Sequence, residues 1–202
     1  MTKDKIIKNR EITEKKILEA VGELIKEEGF EKIGVNAVAQ KAGISKMLIY
    51  RYFGSIEELM FKYILQKDYW INISTESFMV NNIGVFLKNI FRKQISQLRE
   101  DITLKRLYRW ELSTDNPIIN QLRNKRESNG CHLIDTVSQL TNSPQKEITS
   151  LATILSASIS YLVLLEELNP IYNSIDLQSD EGWEQISQGI DQIIDLWIQN
   201  KK

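Results

Sequence analysis

Apolar residues recur along most of this chain at three- and four-residue intervals, the period of helices with one buried face, and nowhere in the strict alternation of half-buried strands. Ile17, Ala20, Val21, Leu24 and Ile25 mark a first helix over Thr13–Glu28, which Gly29 ends and whose apolar face Phe30 folds back to cover. Val35, Val38 and Ala39 mark a short second helix, and Ile44 and Ile49 supply apolar contacts beyond a turn. Ser55 and Glu58 form a capping box that opens a fourth helix, with Leu59, Met60, Tyr63 and Ile64 as its stripe and Trp70 extending it. Further helices are predicted over about 83–98, 102–112, 117–140, 144–168 and 180–200. Asn116-Pro117 and Ser143-Pro144 are start signals, since a proline at the first helical position lacks only an N–H that would go unpaired; Asn169-Pro170 is a stop. The pattern predicts an all-α protein.

Val35 to Phe53 is the stretch around which the rest is organised. A helix that stops and reverses within about three residues needs a position at positive φ, which Gly43 supplies. Ala39 is small enough for two helices to cross closely, as in helix-turn-helix units. Ser45 caps the second of these helices and puts Lys46, Met47, Leu48 and Arg51 on its outer side, where a major groove could receive them. The helix over Thr13–Glu28 supports them, because two short helices alone cannot offset their ordering entropy.

Composition narrows the class. The chain has 202 residues, 42% hydrophobic and 26% charged, ordinary values for a globular protein with a core of its own. With a net charge of −1, any affinity for nucleic acid must come from local arrangement rather than bulk charge. Residues 1–65 carry twelve Lys/Arg against ten Asp/Glu, and Lys3, Lys5, Lys8 and Arg10 precede the first helix as an arm that could follow phosphates or fray in solvent. No apolar run of spanning length and no signal-peptide region is read, so a cytoplasmic location without membrane contact is expected. The single Cys131 excludes an intramolecular disulfide and fits a reducing compartment.

Gly29-Phe30, Val35, Val38-Ala39, Ala42-Gly43-Ile44-Ser45, Tyr50, Tyr52-Phe53, Ser55 and Glu57-Glu58-Leu59 together resemble the N-terminal signature of the TetR/AcrR family of transcriptional regulators, over roughly residues 12–60. The resemblance implies a DNA-binding surface of Gly34, Val35, Ser45, Lys46, Met47, Leu48, Tyr50, Arg51 and Tyr52. In it Lys46 and Arg51 donate to guanine, Met47 and Leu48 meet thymine methyls, and Tyr50 and Tyr52 fix register on phosphates. It also implies a fourth helix that moves on ligand binding and a dimer formed by the last two helices. Three positions depart from the family pattern. Gly34 replaces a capping hydroxyl residue, Ile56 a common lysine, and Met47-Leu48 a small Gly-Thr-like pair; each lost phosphate contact flattens the salt dependence by roughly one unit.

In the remaining chain, chemistry competes with packing. Cys131-His132 cannot act together, because neighbours on a helix point about 100° apart and no further Cys or His completes a zinc site. No catalytic residue, metal site or cofactor is expected. The aromatics Trp70, Phe78, Phe86, Phe91, Tyr108, Trp110 and Tyr161 leave room for a ligand pocket, for which Phe86, Tyr108, Trp110, Glu111, His132 and Tyr161 are the candidates, with Glu166 as a further acidic group. The last two helices are too apolar to stand exposed, and Leu155, Ile159, Leu162, Trp183, Ile190, Ile194 and Trp197 are the candidates for a homodimer interface. The expected architecture is therefore all-α, with a three-helix helix-turn-helix DNA-binding domain over residues 1–54 and a larger helical ligand-binding and dimerisation domain over 55–202. The expected function is a homodimeric, ligand-responsive regulator, a repressor, that binds a near-palindromic operator and is released by a small-molecule effector. The rival readings are a ligand-binding protein of this fold that no longer reads DNA, and an enzyme using Cys131 or His132.

Overall fold

A computed structural model describes residues 3–73 and 82–200, with side chains from residue 9 onward; Phe78 and the side chains of Lys3, Lys5 and Lys8 lie outside these. The described residues form helices α1 (Lys3–Glu28), α2 (Val35–Ala42), α3 (Lys46–Phe53), α4 (Ile56–Lys67), α5 (Ile83–Glu100), α6 (Ile102–Ser113), α7 (Pro117–Thr141), α8 (Gln145–Leu165) and α9 (Asp180–Gln199), with one two-stranded hairpin, β1 (Ile171–Tyr172) and β2 (Ile175–Asp176). The all-α expectation holds, apart from that hairpin. The chain separates into two compact units, residues 1–68 with 102–123 and residues 69–101 with 124–202.

In the first unit α1 is the central element, packing against α2, α4 and α6. It begins ten residues before the expected start, so the basic arm is helical from Lys3. Ile17, Val21 and Ile25 are fully enclosed, as the three- and four-residue spacing requires. Gly29 carries φ 88° and donates to the Ile25 carbonyl; Phe30, turned back by it, stacks on Trp110 of α6 with ring centroids 4.9 Å apart. Arg106 of α6 donates to the Ile25 carbonyl at 2.7 Å and Tyr63 of α4 to Thr103 at 3.4 Å, so α4 and α6 pack in one unit with α1, α2 and α3, and the unit does not close at residue 54. Helix α4 ends at Lys67, and Trp70 lies in the turn beyond it rather than on its stripe.

In the second unit α5 lies against both α8 and α9. Phe86, Ile90, Phe91, Ile95 and Leu98 of α5 are buried, as are Leu155, Ile159 and Val163 of α8 and Trp183, Ile190 and Ile194 of α9. A ladder of ion pairs fixes α5 against α9 in antiparallel order: Lys88 with Asp195 at 2.6 Å, Arg92 with Asp191 at 2.8 Å and Glu184 at 2.9 Å, and Arg99 with Asp180 at 3.0 Å. Each pair sits at the surface and contributes about 1 kcal/mol or less, but a slip of one turn would break them all. The expected cap at Ser143 is corrected: Pro144 precedes the first helical residue, and the buried Ser143 hydroxyl donates to the Thr141 carbonyl. Asn116 does cap α7, accepting from the Ile118 N–H at 2.8 Å. Among the described residues α8 is long and apolar enough to cross a membrane, which corrects the reading that no run reaches that length. Thr149, Ser150, Thr153, Ser156, Ser158 and Ser160 interrupt the apolar run without adding charge.

Candidate nucleic-acid interface

The turn between α2 and α3 is built from backbone geometry. Gly43 has φ 61°, ψ 43°; its N–H donates to the Gln40 carbonyl and that of Ile44 to the Ala39 carbonyl at 3.0 Å, the two bonds of a Schellman motif. Ala39 and Ala42 are buried where the helices meet. Ser45 then starts α3, its hydroxyl accepting from the Met47 N–H at 3.3 Å. At the other end Gly54 takes φ 84°, and Ser55 opens α4 by accepting from the Glu58 N–H at 3.1 Å.

Helix α3 is held from within by Ile49, fully buried, and Phe53. The rest of it faces outward: Lys46 and Arg51 are exposed, Met47 is 69% and Tyr50 47% exposed, and Leu48 and Tyr52 are half-buried. Tyr50 therefore takes no core position. Residues 34–56 contain Lys41, Lys46 and Arg51 and no carboxylate. Lys41 is turned back to Glu27 at 2.6 Å and Glu23 at 3.5 Å, and the hydrogen bond to Glu27 holds its ammonium above the ordinary lysine range. Lys46 and Arg51 make no ion pair among the described residues. The outer face is positive, with an apolar centre at Met47. Gly34 and Val35 are half-buried at the start of α2: Gly34 has φ −138°, ψ 158° and gives the helix no side-chain cap, so the N–H groups of its first turn stay available to an anion.

A polar network behind α3 escaped the sequence reading. Arg51 donates to the Tyr52 hydroxyl at 3.0 Å and lies 5.0 Å from the centre of that ring; Arg10 lies 5.3 Å from the same centre and bonds Glu14 at 2.6 Å. Glu14 also accepts from Lys62 of α4 at 3.0 Å, and Lys62 lies 5.0 Å from the Phe53 ring. Partial burial pushes the Glu14 carboxyl up, but the bonds and charges of Arg10 and Lys62 outweigh it and leave the carboxyl below its ordinary range. The spacing of Arg10 and Glu14 could have signalled one link; the pairing of residues 14 and 62 has no local signal.

The six residues assigned to a ligand pocket do not share a unit. Tyr108, Trp110 and Glu111 lie in the first, where Trp110 is buried against Phe30 and Glu111 accepts from Arg123 at 3.2 Å. Phe86, His132 and Tyr161 lie in the second. There Phe86 packs with Tyr69 and Ile90, and Trp70, Ile73 and Leu133 bridge that cluster to a cavity of about 200 Å³ whose wall also includes Asn129 and the exposed His132. Asn129 donates to the carbonyls of Trp70 and Ile71 at 3.4 and 3.0 Å, tying α7 to the segment after α4. Tyr161 is exposed and sits against Tyr172. Cys131 is exposed beside Glu127, and desolvation with the Glu127 contact pushes its thiol up, away from a reactive thiolate.

Of the interface candidates, Leu155, Ile159, Trp183, Ile190 and Ile194 are buried within the protomer, and Leu162 and Trp197 are half-buried. They form the inner sides of α8 and α9, already covered by α5. The apolar side chains that α8 and α9 leave in water are Ile154, Tyr161, Ile193 and Leu196.

Residues 17–63 match the family model of bacterial regulatory proteins, tetR family. No curated protein matches the chain. Among solved structures, the chain is similar to the fatty acid degradation regulator FadR from Bacillus halodurans, with 18% identity over 89% of this chain and 96% of that one at a TM-score of 0.66. It is also similar to a TetR family transcription regulator from Marinobacter aquaeolei VT8, with 19% identity over 93% and 97% at a TM-score of 0.64. Residues 17–63 thus carry a helix-turn-helix domain of the bacterial tetR regulator type, and the likeness to these solved structures shows that the chain has their fold.

Proposed function

We propose that the protein is a homodimeric, effector-responsive repressor that works in the cytoplasm and binds a near-palindromic operator. The observation that carries this reading is α3: capped at its start, anchored on one side by Ile49 and Phe53, and free of carboxylates on the side where Lys46, Met47, Tyr50 and Arg51 stand exposed. Lys46 and Arg51 donate to guanine edges, Met47 and Leu48 meet thymine methyls, Tyr50 and Tyr52 with the backbone at Gly34 and Val35 hold phosphates, and Ser45 fixes the helix start. Two copies place their α3 helices about 34–36 Å apart, in successive major grooves. The exposed sides of α8 and α9 form the contact between copies, which accounts for the uncovered apolar length of α8.

The effector is a small apolar molecule bound at the cavity beside Trp70, Ile73 and Leu133, with Asn129 and His132 as polar contacts. The Bacillus halodurans relative regulates fatty acid degradation, and an acyl-type effector suits a lining of this kind. To move the dimer nearly wholly off DNA the effector must prefer the non-binding state by about 5.5 kcal/mol. The test is selection of fragments from random-sequence DNA, repeated with Lys46→Ala and Arg51→Ala. The expected result is an enriched inverted repeat whose preference relaxes at particular positions in each variant, at a cost of about 1–3 kcal/mol. The alternative, a ligand-binding protein of this fold without sequence-specific DNA binding, is favoured by the bare Gly34 cap and by Ile56 in place of a phosphate-binding lysine. Absence of enrichment at low and moderate salt would establish it instead.

A further inference from the structure

Of the two cations on α3, the fold holds only Arg51. Neighbouring residues of a helix project about 100° apart, so two short side chains there cannot meet. The Arg51 guanidinium, at the end of a long stem, turns back across that gap. Its Nη2 donates to the Tyr52 hydroxyl at 3.0 Å, and its Cζ lies 5.0 Å from the centre of the Tyr52 ring, within reach of the attraction between a cation and an aromatic face. Lys46 and Tyr50, the other polar side chains exposed on this helix, make no side-chain hydrogen bond among the described residues. Tyr52 is held in turn. It is half-buried, and the Arg10 guanidinium of α1 stands 5.3 Å from the same ring centre. Arg10 is paired with Glu14 at 2.6 Å, and Glu14 with Lys62 at 3.0 Å, so the ring is fixed from α1 and α4. Arg51 makes no ion pair among the described residues and keeps its charge uncancelled.

A phenol oxygen that accepts from a guanidinium keeps its own proton to donate. The Tyr52 hydroxyl can therefore serve a phosphate oxygen through its O–H and Arg51 through its lone pair, and each of these bonds strengthens the other. We infer that Tyr52 is a positioning residue for Arg51: its hydroxyl, while donating to a phosphate, fixes the guanidinium that reads a base pair. The inference rests on the DNA-binding reading and deepens it, because register on the backbone and readout of one base pair then share an oxygen atom. An unrestrained arginine gives up the freedom of a long side chain when it grips a guanine, and that loss offsets part of the bidentate contact. Arg51 has given up much of it beforehand. One of its five N–H groups is engaged by Tyr52, and the rest remain for the base.

The test is selection of bound fragments from random-sequence DNA with the full chain and with Tyr52→Phe, Arg51→Ala, the double variant and Tyr50→Phe. Phenylalanine keeps the ring and removes only the bonds of the hydroxyl. Arg51→Ala should relax the preference at one base pair of each half-site by about tenfold. Tyr52→Phe should relax the same base pair by about three- to tenfold, the worth of one hydrogen bond. In the Arg51→Ala background it should add no more than about twofold there, because it acts through that side chain. Tyr50→Phe, whose hydroxyl touches no base reader, should weaken all sequences alike. A Tyr52→Phe variant that also weakens all sequences alike, or whose effect is undiminished beside Arg51→Ala, overturns the positioning role and leaves Tyr52 a phosphate contact. Nuclear magnetic resonance of the arginine side chains in the parent chain without DNA reads the contact itself, and stands if Tyr52→Phe fails to fold. Rotation within the Arg51 guanidinium should be about three- to tenfold slower than in free arginine; equal rates overturn the inference. A parent chain that enriches no sequence overturns the DNA-binding reading, and the role of Tyr52 with it, whatever the rotation rate.

Discussion

Replacing Gly34 with serine should stabilise the protein, although it adds a side chain at a glycine. Gly34 occupies the N-cap of α2 with φ −138° and ψ 158°, an extended conformation open to any residue and the usual one for a capping serine. A Cβ built there meets no heavy atom within 4 Å. The hydroxyl gains a bond to an N–H of the first turn, worth a few tenths of a kcal/mol over glycine. The loss of glycine's freedom in the unfolded chain adds about 0.4–1 kcal/mol. A gain of about 0.6–1.4 kcal/mol is expected, read as a higher urea midpoint by far-ultraviolet circular dichroism. Gly43→Ser supplies the opposite sign. Its Cβ would also be free of clash, the nearest atom being Lys16 Nζ at 3.8 Å, but φ 61° and ψ 43° lie in the left-handed region, so the backbone alone costs about 1–2 kcal/mol. On DNA, Gly34→Ser should also steepen the salt dependence of affinity by roughly one unit through an added phosphate contact. A lower midpoint for Gly34→Ser, or an unchanged one for Gly43→Ser, would refute the assignment of these two glycines.

Trp110→Ala removes the ring stacked on Phe30 and should destabilise the first unit by about 3–5 kcal/mol, measured by urea unfolding. The Glu14 carboxyl, held below its ordinary value of 4.5, contributes stability above that value that is lost as pH falls through the lower folded one; Glu14→Gln should remove this part of the acid limb in unfolding midpoints taken between about pH 3 and 6. Gly182→Ala forces a methyl against the Asp176 carbonyl and should cost about 1–3 kcal/mol, lowering the melting temperature and shifting the emission of Trp183, whose indole bonds the same hairpin.

Local determinants were legible in the sequence and distant ones were not. Gly43 and Ser45 specify the turn and the start of α3 through bonds spanning no more than five residues, so the reading of that stretch needed no tertiary knowledge. Helix periods carried the rest of the architecture. Periodicity alone cannot choose between two apolar sides of one helix, however. On α8 the sequence pointed to Leu155, Ile159 and Leu162 as the interface row, but Leu155 and Ile159 face α5; the row left in water is offset from it, at Ile154 and Tyr161. Residues 171–176 carry too few positions to show alternation, and Asn173-Ser174 lacks the glycine that signals a type I′ turn, so nothing in the sequence marks the hairpin. Residue type alone does not say which side chains line a cavity. Nothing local separates Trp110, taken up by Phe30, from Trp70, which lines the cavity.

The contacts behind α3 bear on how its aim could be changed. Only Ile49 and Phe53 hold the helix from inside, so its direction depends on the turn at Gly43, on Gly54 and on what touches its last anchor. Lys62 touches that anchor, lying over the Phe53 ring, and also bonds Glu14 of α1; Glu14 in turn holds Arg10 over the Tyr52 ring. A displacement of α4 therefore changes the surroundings of Phe53 and Tyr52 together. Each link is partly exposed and worth about 1 kcal/mol or less, so breaking the set costs no more than the few kcal/mol that an effector's preference between two states must supply. A network of stronger, buried pairs would hold α3 to α1 against such a displacement, since breaking one buried pair costs about 3–5 kcal/mol.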